Sequence, residues 1–421
     1  MTQQQPADRS RQTVSPALAR REFLQSAGIA AGVWSTWNLE SALGYQANDT
    51  LRVACIGTGG RCRRLMQSLR EFPNLKIVGV CDVWDHHLAE GKKLADEKAF
   101  TEKDYRKILD RKDVDAVVIG TPDHWHVPIT IAACEAGKDV YVEKPLTHDL
   151  EEGKLVIAAQ KKSKRVVQVG TQQRSMPQFQ KGREIVQSGV LGEIHKVHLT
   201  WNRNSDRFQR TPLNVDPKTV DWKMFLGNAP DQPFDEYRFR NWRWFWDFGG
   251  GILTDLMVHF IDVAHWFLDL GAPIMATTIG DHFASEGLWE TPDTIQCLLK
   301  YPKGVQIYFE GTFVNARNGA MLEFMGSEAT LYLDRGRYEI HPERKKKIEY
   351  EEFILGTGPR GADFYDVPDG ETVHLTNWVD AVRTRKEPSA PVEAGVSAAA
   401  AAQLGNVAYR TGQVAHWDEN A

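Results

Sequence analysis

Residues 51–62, LRVACIGTGGRC, decide the fold of this chain. A short apolar run, typical of a buried strand, leads into a glycine turn, and the next ten residues have the apolar spacing of one helix face. In this order, a Gly-x-Gly pattern lets the main chain approach a pyrophosphate at the helix N-terminus. We therefore predict a dinucleotide site at Gly57 and Gly59, with Gly60 and Arg61 as further phosphate contacts.

One position departs from the usual dinucleotide pattern, because Cys62 stands where a third glycine is common. That glycine allows the helix to pack closely on the strand, and we expect a small thiol to be tolerated. Asp82 ends the next apolar run, IVGVCD, where a carboxylate binds the adenosine ribose hydroxyls and repels a ribose phosphate. The sequence therefore predicts NAD in preference to NADP.

Strand-like and helix-like segments alternate from Leu51 to about residue 170. Apolar runs such as VDAVVIG, DVYVE and RVVQVG are separated by segments with helical spacing. This alternation predicts an α/β fold with a doubly wound parallel sheet, the Rossmann fold, over residues 48–170.

The pattern changes after Thr171 to longer alternating stretches, among them EIHKVHLTWN and DTIQCLLKYPKGVQIYFEGTF. The second stretch is typical of a hairpin around YPKG. Together they predict an α+β domain over residues 171–421, with an open, mostly antiparallel sheet and a few helices. Near its end, SAAAAAQLGNVAYRTGQ predicts a helix that stops at Gly412.

Residues 1–47 are set apart from both domains. Arg20 and Arg21 are followed by Phe23, Leu24 and a modest apolar stretch, which is similar to a twin-arginine export signal. We expect an exported, periplasmic protein, tethered to the membrane if the signal is not cleaved. A basic tail on a cytoplasmic protein is the alternative.

Composition excludes several classes of protein. The formal charge of -5 gives no support for nucleic-acid binding, and no apolar run is long enough for a stable membrane span. Five cysteines without a Cys-x-x-Cys pair indicate neither a disulfide framework nor a zinc site. A soluble enzyme or a small-molecule binding protein remains.

A lysine lies just after the carboxyl end of one predicted strand of the parallel sheet. The run DVYV is followed at once by Glu143, Lys144 and Pro145, and proline restricts the backbone there. Open α/β sheets bind ligands at the carboxyl ends of their strands. Lys144 is therefore a candidate site residue, with a solvated loop lysine as the alternative.

Residues 249–268, GGGILTDLMVHFIDVAHWFL, place Asp255 and His259 four positions apart, on one face of a predicted helix that Asp262 continues. Polar groups on a buried helix face need partners or a function. Three interpretations stay open from these residues alone: a hydrogen-bonded pair in the core, a metal site that includes Asp262, and a catalytic pair. We expect no metal, since no further ligand cluster is evident.

Several motifs occur together in an order that resembles the glucose-fructose oxidoreductase and inositol dehydrogenase family, Gfo/Idh/MocA. They are CIGTGG, CDV, TPDHWHVPIT, EKPL and GGGILTDLMVHFIDVAHW, and the resemblance extends from Leu51 to the C-terminus. It implies that Lys144 lies beside the nicotinamide and the substrate hydroxyl, and that Asp255 and His259 are catalytic. It also implies a cofactor-binding role at the nicotinamide end for Thr121, Pro122, Asp123, His124, His126 and Glu143.

The resemblance implies an NAD-dependent oxidoreductase that acts on a secondary hydroxyl of a sugar, cyclitol or derivative. The predicted export signal adds a tightly held nicotinamide, because little free NAD is expected outside the cytoplasm. Imidazole is suited to accept the hydroxyl proton, and a fixed ammonium stabilises the developing alkoxide. One alternative on the same scaffold is an NAD-dependent glycoside hydrolase that oxidises C3 transiently. The alternative of another class is a non-catalytic sensor of NAD or sugar.

Aromatic and polar side chains near the predicted helix are candidate sugar contacts. FRNWRWFWDF holds Trp242, Trp244 and Trp246, and an earlier strand ends in Trp201 and Asn202. Aromatic faces stack on the apolar face of a sugar, although aromatic core packing is an equally good interpretation. We predict substrate contacts at Arg174, Trp201, Asn202 and Trp244, and a homo-oligomer formed through the C-terminal sheet.

Overall fold

The computed structural model describes residues 50–205, 208, 211–348, 351–354, 358–361 and 370–417. The export signal predicted at residues 1–47 lies outside the described residues, so export stays a prediction. Across the part of the chain that is described, no helix is both long and apolar enough to cross a membrane.

The first sheet has six parallel strands in the order β3-β2-β1-β4-β5-β6. Alternate residues of β1 join two separate hydrophobic clusters, because the sheet is covered on both faces. This burial explains the near-continuous apolar runs, and the predicted Rossmann sheet is confirmed. The strands are β1 (Leu51–Ile56), β2 (Leu75–Cys81), β3 (Phe100–Glu102), β4 (Ala116–Ile119), β5 (Asp139–Val142) and β6 (Val167–Val169).

Helices alternate with these strands and bury one face each. The first helix buries Cys62, Leu65, Met66 and Leu69, the face that the apolar spacing predicts. The helices are α1 (Gly60–Leu69), α2 (Asp85–Leu94), α3 (Tyr105–Leu109), α4 (His126–Glu135) and α5 (Glu152–Ser163).

The second sheet has nine strands in the order β14-β13-β12-β11-β7-β10-β9-β8-β15. Only the pair of β7 and β10 is parallel among the described pairings, so the predicted mostly antiparallel sheet is confirmed. The predicted hairpin turns at 302–304. The strands are β7 (Ile194–Asn202), β8 (Met275–Asp281), β9 (Thr294–Lys300), β10 (Gln306–Thr312), β11 (Ala320–Gly326), β12 (Ala329–Leu333), β13 (Arg337–Pro342), β14 (Glu351–Ile354) and β15 (Ala415–His416).

Helices cover one face of the second sheet. Strand β9 shows this clearly, because Ile295, Cys297 and Leu299 are buried while Leu298 between them is 38% exposed. The helix Val392–Thr411 stops at Gly412, which is in the left-handed region, as predicted. The helices are α6 (Pro177–Gln187), α7 (Trp222–Leu226), α8 (Glu236–Arg240), α9 (Val258–Leu268), α10 (Glu371–Thr384) and α11 (Val392–Thr411).

The segment that carries Asp255 and His259 differs from the plain α-helix that the sequence predicts. Leu253–Met257 form a π-helical turn, and α9 begins only at Val258. A π turn spaces the backbone hydrogen bonds five residues apart and changes which carbonyl groups are available to other partners. Asp255 therefore lies in an irregular turn at the start of α9.

Helix α10 packs on the first sheet although it follows the second sheet in the chain. Leu375, Trp378 and Val379 join the hydrophobic cluster of β1 and α1. The Trp378 indole N–H donates to the Val140 carbonyl on β5 at 3.1 Å. Helix α10, from the C-terminal part of the chain, thus belongs to the hydrophobic core of the first sheet. The division of the chain into two domains at residue 170 stays a prediction.

Replacing Trp378 should destabilise the protein strongly. The side chain is fully buried, so Trp378→Ala should lower the free energy of unfolding by about 3–5 kcal/mol through lost burial and a cavity. Urea unfolding followed by circular dichroism measures the change. Val373→Ala, at an exposed position of the same helix, should change it by less than about 0.5 kcal/mol. Equal effects of the two substitutions would contradict this packing.

Candidate active site

A cavity of about 400 Å³ lies at the carboxyl ends of β1, β2 and β4. This edge is where doubly wound sheets bind nucleotides. Most of the predicted cofactor contacts on the first sheet border the cavity. These are Gly57, Gly59, Gly60, Arg61, Asp82, Thr121 and Pro122.

The glycine turn is shaped for a close main-chain approach. Gly57 has a φ of +78°, and a Cβ there would lie 2.7 Å from the Thr121 nitrogen, so another residue would be strained. Gly59 precedes α1, and no side chain caps the first turn of that helix. The amide groups of this turn therefore face the cavity as donors, which fits a pyrophosphate.

The structure explains how Cys62 replaces the third glycine. Cys62 is fully buried in α1, and the facing residue after β4 is Gly120. A Cβ on Gly120 would lie only 2.8 Å from the Cys62 Cβ. The close helix-strand contact is therefore kept by a glycine on the opposite side.

Asp82 follows β2 and borders the cavity at the ribose end. Its carboxylate accepts the Trp84 amide N–H at 2.9 Å and lies 3.6 Å from His87 Nδ1. The carboxylate is thus held in place, with its side chain 7% exposed. These contacts fit a group that accepts hydrogen bonds from ribose hydroxyls.

Arg61 and Glu143, both predicted to bind the cofactor, bind each other. The Arg61 Nε–H donates to Glu143 at 2.7 Å, and its Nη1 pairs with Glu371 at the start of α10. Arg61 still borders the cavity, but its charge is matched by two carboxylates. Glu371 was not found from the sequence, because only the tertiary fold brings α10 to this loop.

Histidine side chains in the segment after β4 form hydrogen bonds with main-chain oxygens. His124 Nε2 donates to the Phe225 carbonyl at 2.9 Å, and the ring nitrogens of His126 lie 2.6 Å from the Pro145 oxygen and 3.0 Å from the Thr121 oxygen. Burial lowers the pKa of each histidine to about 4. Both rings hold the segment in place rather than exchange protons near neutral pH.

Lys144 and Asp255 meet beside this segment. The Lys144 ammonium donates to the Asp255 carbonyl at 2.7 Å and to its carboxylate at 3.0 Å. Each side chain is 11% exposed. The structure thus brings together two of the three predicted catalytic residues, one from the loop after β5 and one from the π turn.

Arg243 is a site residue that the sequence did not single out. Its Nε–H donates to the Asp255 carboxylate at 3.1 Å, and its guanidinium stacks on Trp242, 4.1 Å from the ring centroid. Arg243 and Trp242 both border the cavity. The WRW sequence was the available signal, but only its aromatic residues were considered from the sequence, as sugar contacts or as core packing.

His259 is buried on α9 between two side chains that orient its ring. Nδ1 lies 3.3 Å from Gln173 Oε1, and the ring stacks on Trp201 with centroids 5.2 Å apart. Burial, and then the Lys144 charge, lower the pKa of His259 well below 6.5. The neutral ring donates from Nδ1 to the amide oxygen, which leaves the lone pair on Nε2.

The four predicted substrate contacts lie away from the cavity lining. Arg174 forms a buried ion pair with Asp262 at 2.8 and 2.9 Å, so the third polar residue of the predicted helix face also has a partner. Trp244 stacks on Trp289 at 4.3 Å. Trp201 packs under His259, and Asn202 donates to Glu310 and to the Arg317 carbonyl. Their roles in substrate binding stay predictions.

Residues 211–246, called the covering segment here, close one side of the cavity. The Asp221 N–H donates to the Val83 carbonyl at 2.8 Å, and the Trp125 indole N–H donates to Phe225 at 2.9 Å. Phe239 packs against Trp84 with centroids 5.6 Å apart. The covering segment contributes seven lining residues: Leu213, Met224, Phe225, Phe239, Arg240, Trp242 and Arg243.

Among the described residues, no group of three histidine, cysteine or acidic side chains is placed to hold a metal ion. Asp262, one member of the metal alternative, is held by Arg174.

Two family models match consecutive parts of the chain. The model of the GFO/IDH/MocA oxidoreductase family with an NAD-binding Rossmann fold matches residues 51–171. The model of the GFO/IDH/MocA C-terminal domain matches residues 179–332. Together they cover the glycine turn, the Lys144 loop and the helix that carries His259.

Curated relatives are similar at lower coverage. A myo-inositol 2-dehydrogenase from Thermotoga maritima is 25% identical over 68% of this chain and 76% of its own length. A glycosyl hydrolase family 109 protein from Shewanella baltica is 26% identical over 49% of this chain and 50% of its own. The chain spans about half the length of most of the first curated relatives it matches.

A solved structure has the same fold. The WlbA dehydrogenase from Bordetella pertussis, in complex with NADH and UDP-GlcNAcA, superposes with a TM-score of 0.66 at 17% identity. The superposition covers 88% of this chain and 99% of that one.

NAD(H) should bind at least about tenfold more tightly than NADP(H), because the Asp82 carboxylate would repel a ribose phosphate. Calorimetric titration of cofactor-free protein with both dinucleotides measures the difference. Asp82→Asn should reduce the difference in affinity between NAD(H) and NADP(H). Asp85→Asn, which changes a more exposed acid three residues later, should leave that difference unchanged. Tighter binding of NADPH by the unaltered protein would contradict the assignment.

Proposed function

Since this chain belongs to the GFO/IDH/MocA family of oxidoreductases, we propose that it transfers a hydride from a secondary hydroxyl of a sugar, cyclitol or derivative to NAD. The observation that carries the proposal is the contact of Lys144 with Asp255 at 2.7 and 3.0 Å beside a dinucleotide cleft. Bound NAD supplies the hydride acceptor. The protein must then bind the hydroxyl, stabilise its oxygen and receive its proton.

Lys144 is placed to stabilise the substrate oxygen. Two of its three N–H donors are directed to the Asp255 carbonyl and carboxylate, and the third is available to an alkoxide as charge develops. Asp255, held from its other side by Arg243, fixes the direction of the ammonium. The pair therefore needs little rearrangement when the hydroxyl binds.

His259 is placed to accept a hydrogen bond from the hydroxyl. Gln173 Oε1 accepts a hydrogen bond from the Nδ1–H group, so Nε2 carries the lone pair that faces away from the amide. Trp201 prevents the ring from tilting. We propose that Nε2 is the first acceptor of the hydroxyl proton.

Retention of the cofactor is supported by the covering segment. Main-chain hydrogen bonds from Asp221 and to Phe225 join the segment to the Rossmann loops on both sides of the cavity. Release of a dinucleotide would require several of these contacts to open together. We propose a nicotinamide that stays bound through many turnovers.

Export by the twin-arginine route is part of the same proposal. A retained cofactor suits a protein that folds and loads NAD before it leaves the cytoplasm, because little free NAD is expected in the periplasm. A catalytic cycle there must restore the cofactor. Either a second substrate is reduced, or the reaction is redox-neutral.

The alternative is NAD-dependent glycoside hydrolysis through transient oxidation. One curated relative is named a glycosyl hydrolase family 109 protein, and such a cycle ends with the cofactor restored. A non-catalytic sensor is disfavoured, because it has no need of Lys144, Asp255 and His259 together. A screen of glycosides and free sugars, with the products identified by their mass, distinguishes net oxidation from hydrolysis.

A homo-oligomer through the second sheet is supported by its uncovered face. Ile279 on β8 is 76% exposed and Leu298 on β9 is 38% exposed. Both strands alternate so that these apolar side chains share one face. We propose that a second copy of the chain covers this face.

Lys144→Ala and His259→Ala should each lower turnover by at least about a hundredfold, because both groups act mainly as charge develops. Steady-state kinetics on a verified substrate measures the loss, and circular dichroism verifies the fold. Lys161→Ala and His195→Ala, at exposed positions, are the matched controls and should retain activity. Near-normal turnover in either site variant would remove that residue from the mechanism.

Protein purified without added NAD should contain bound dinucleotide, because the covering segment hinders release. Chromatography of the supernatant after denaturation measures the amount per protein chain. Turnover on the right substrate should not require one NAD for each product molecule. If the purified protein contains no dinucleotide and consumes one added NAD for each product molecule, the proposal of a retained cofactor is wrong and the protein is an ordinary dehydrogenase that uses free NAD.

A further inference from the structure

Arg243 has hydrogen-bond donors that the contact with Asp255 does not use. Its Nε–H donates to the Asp255 carboxylate at 3.1 Å. Among the described residues, no oxygen accepts a hydrogen bond from its two terminal amino groups, Nη1 and Nη2. The side chain is 35% exposed and borders the cavity. Two donors of one permanently charged group are therefore available to a ligand in the cavity.

Three contacts hold Arg243 in place before any ligand binds. Asp255 accepts from Nε, and the guanidinium lies over Trp242, with Cζ 4.1 Å from the ring centroid. Gly249, the first glycine of the run before the π turn, lies against the main chain of Arg243. A Cβ at Gly249 would be 2.9 Å from the Arg243 Cα, so a larger residue would displace the arginine. A guanidinium held in this way loses little conformational freedom on binding.

Arg243 and Lys144 lie close enough to bind one substrate molecule. The Lys144 ammonium donates to Asp255 Oδ1 at 3.0 Å, and the Arg243 Nε–H donates to the same oxygen at 3.1 Å. The two nitrogens therefore cannot lie farther apart than these two distances together, which is similar to the width of a sugar ring. In the proposed function Lys144 binds the reacting oxygen, so Arg243 is within reach of substituents on neighbouring carbons.

The charges beside Arg243 favour a negatively charged ligand. Lys144 and Arg243 share the carboxylate of Asp255. Asp123 is the second acid near both cations. It is 4% exposed, and burial raises its pKa to about 7, so that it is ionised only in part near neutral pH. Two cations therefore meet fewer than two negative charges, and this imbalance attracts an anion.

We propose that Arg243 is a specificity-determining residue that binds a carboxylate of the substrate, and that the preferred substrates are acidic sugars such as uronic acids. The end of a guanidinium presents two parallel N–H groups, which match the two oxygens of a carboxylate. A hydroxyl group accepts from one of them and carries no charge to attract the cation. This assignment rests on the proposed function and names its substrate class.

The pyrophosphate of the cofactor is a second source of the same oxyanion chemistry. Its predicted site is the turn of Gly57 and Gly59, whereas Arg243 contacts the residue that holds Lys144. These positions favour the substrate carboxylate. The two sources differ in what Arg243→Gln changes, which is the preference among substrates in one case and the retention of NAD in the other.

Matched pairs of sugars test the role of Arg243. Protein with its retained NAD is mixed with methyl glucosides and methyl glucosiduronates, and with the corresponding galacto compounds. The members of each pair differ only in a carboxylate that replaces a hydroxymethyl group. NADH absorbance gives the second-order rate constant of the first turnover. In the faster pair, the acidic member should react at least about tenfold faster than the neutral one.

Substitutions at two cations of the covering segment show whether this preference depends on Arg243. Arg243→Gln should remove the preference, because it removes the charge and the paired donors. Arg240→Gln removes another cation that borders the cavity, whose Nη1 donates to the Thr211 carbonyl, and should leave the preference unchanged. Loss of the preference in both variants would mean that only the general positive charge of the cavity acts, and the assignment to Arg243 would be wrong.

The other outcomes distinguish the role of Arg243 from the proposed function. If the neutral member of both pairs reacts at least as fast as the acidic one, the role of Arg243 is wrong and the proposed function stands. If no sugar or cyclitol, acidic or neutral, forms NADH, both are wrong. If Arg243→Gln loses bound NAD while the remaining holoprotein keeps its preference, Arg243 binds the pyrophosphate and the proposal is overturned.

Binding to the unaltered protein provides a second measurement that depends neither on turnover nor on the folding of a variant. Calorimetric titration of the holoprotein compares D-glucuronate with D-glucose and D-galacturonate with D-galactose. At least one uronate should bind about tenfold or more tightly than its neutral partner. Equal or weaker binding of both uronates would overturn the proposal.

Discussion

The hydrogen bonds from Lys144 to Asp255 join the two halves of this protein at the point where chemistry is proposed. An ammonium group that is 11% exposed must be paired, or it becomes an unpaired buried charge. Its partners are a carbonyl oxygen and a carboxylate of the same residue. The loop after β5 therefore cannot take its position independently of the helix on the second sheet, and the reactive nitrogen is fixed by the packing of both.

Both contacts of Lys144 are made with a residue of the π turn. The carbonyl oxygen and the carboxylate of Asp255, within Leu253–Met257, accept from the Lys144 ammonium. A π turn spaces its backbone hydrogen bonds five residues apart, and such turns often occur at functional sites. His259 follows in the regular helix, where Gln173 and Trp201 fix its tautomer and its plane. The π turn and the first turn of α9 thus carry two of the three proposed catalytic groups on consecutive segments of the chain.

Residues whose roles depend on nearby sequence could be predicted. Gly57 and Asp82 follow buried strands, and that position alone places them at the edge of the cleft. Residues whose roles depend on distant segments could not. Glu371 reaches Arg61 only because α10 returns to the first sheet, and Gly120 compensates for Cys62 across a helix-strand contact. Trp244 shows another limit of the sequence, since an aromatic residue beside a candidate site has no sequence feature that distinguishes stacking on Trp289, which the structure has, from stacking on a sugar.

The covering segment connects the proposed retention of the cofactor with the fate of the substrate proton. On one side of the cavity, hydrogen bonds through the Asp221 N–H and the Phe225 carbonyl join this segment to the Rossmann loops, and contacts that slow the release of a dinucleotide would also limit exchange with bulk water. In such a site a hydride and a proton are separated in one half-reaction and must be reunited in the other. His259 Nε2 is the proposed first acceptor of that proton, and burial together with the Lys144 charge lowers the pKa of its ring. The imidazolium must therefore pass the proton on or return it within the catalytic cycle, so that retention of the cofactor and the fate of the proton are linked whatever the identity of the sugar.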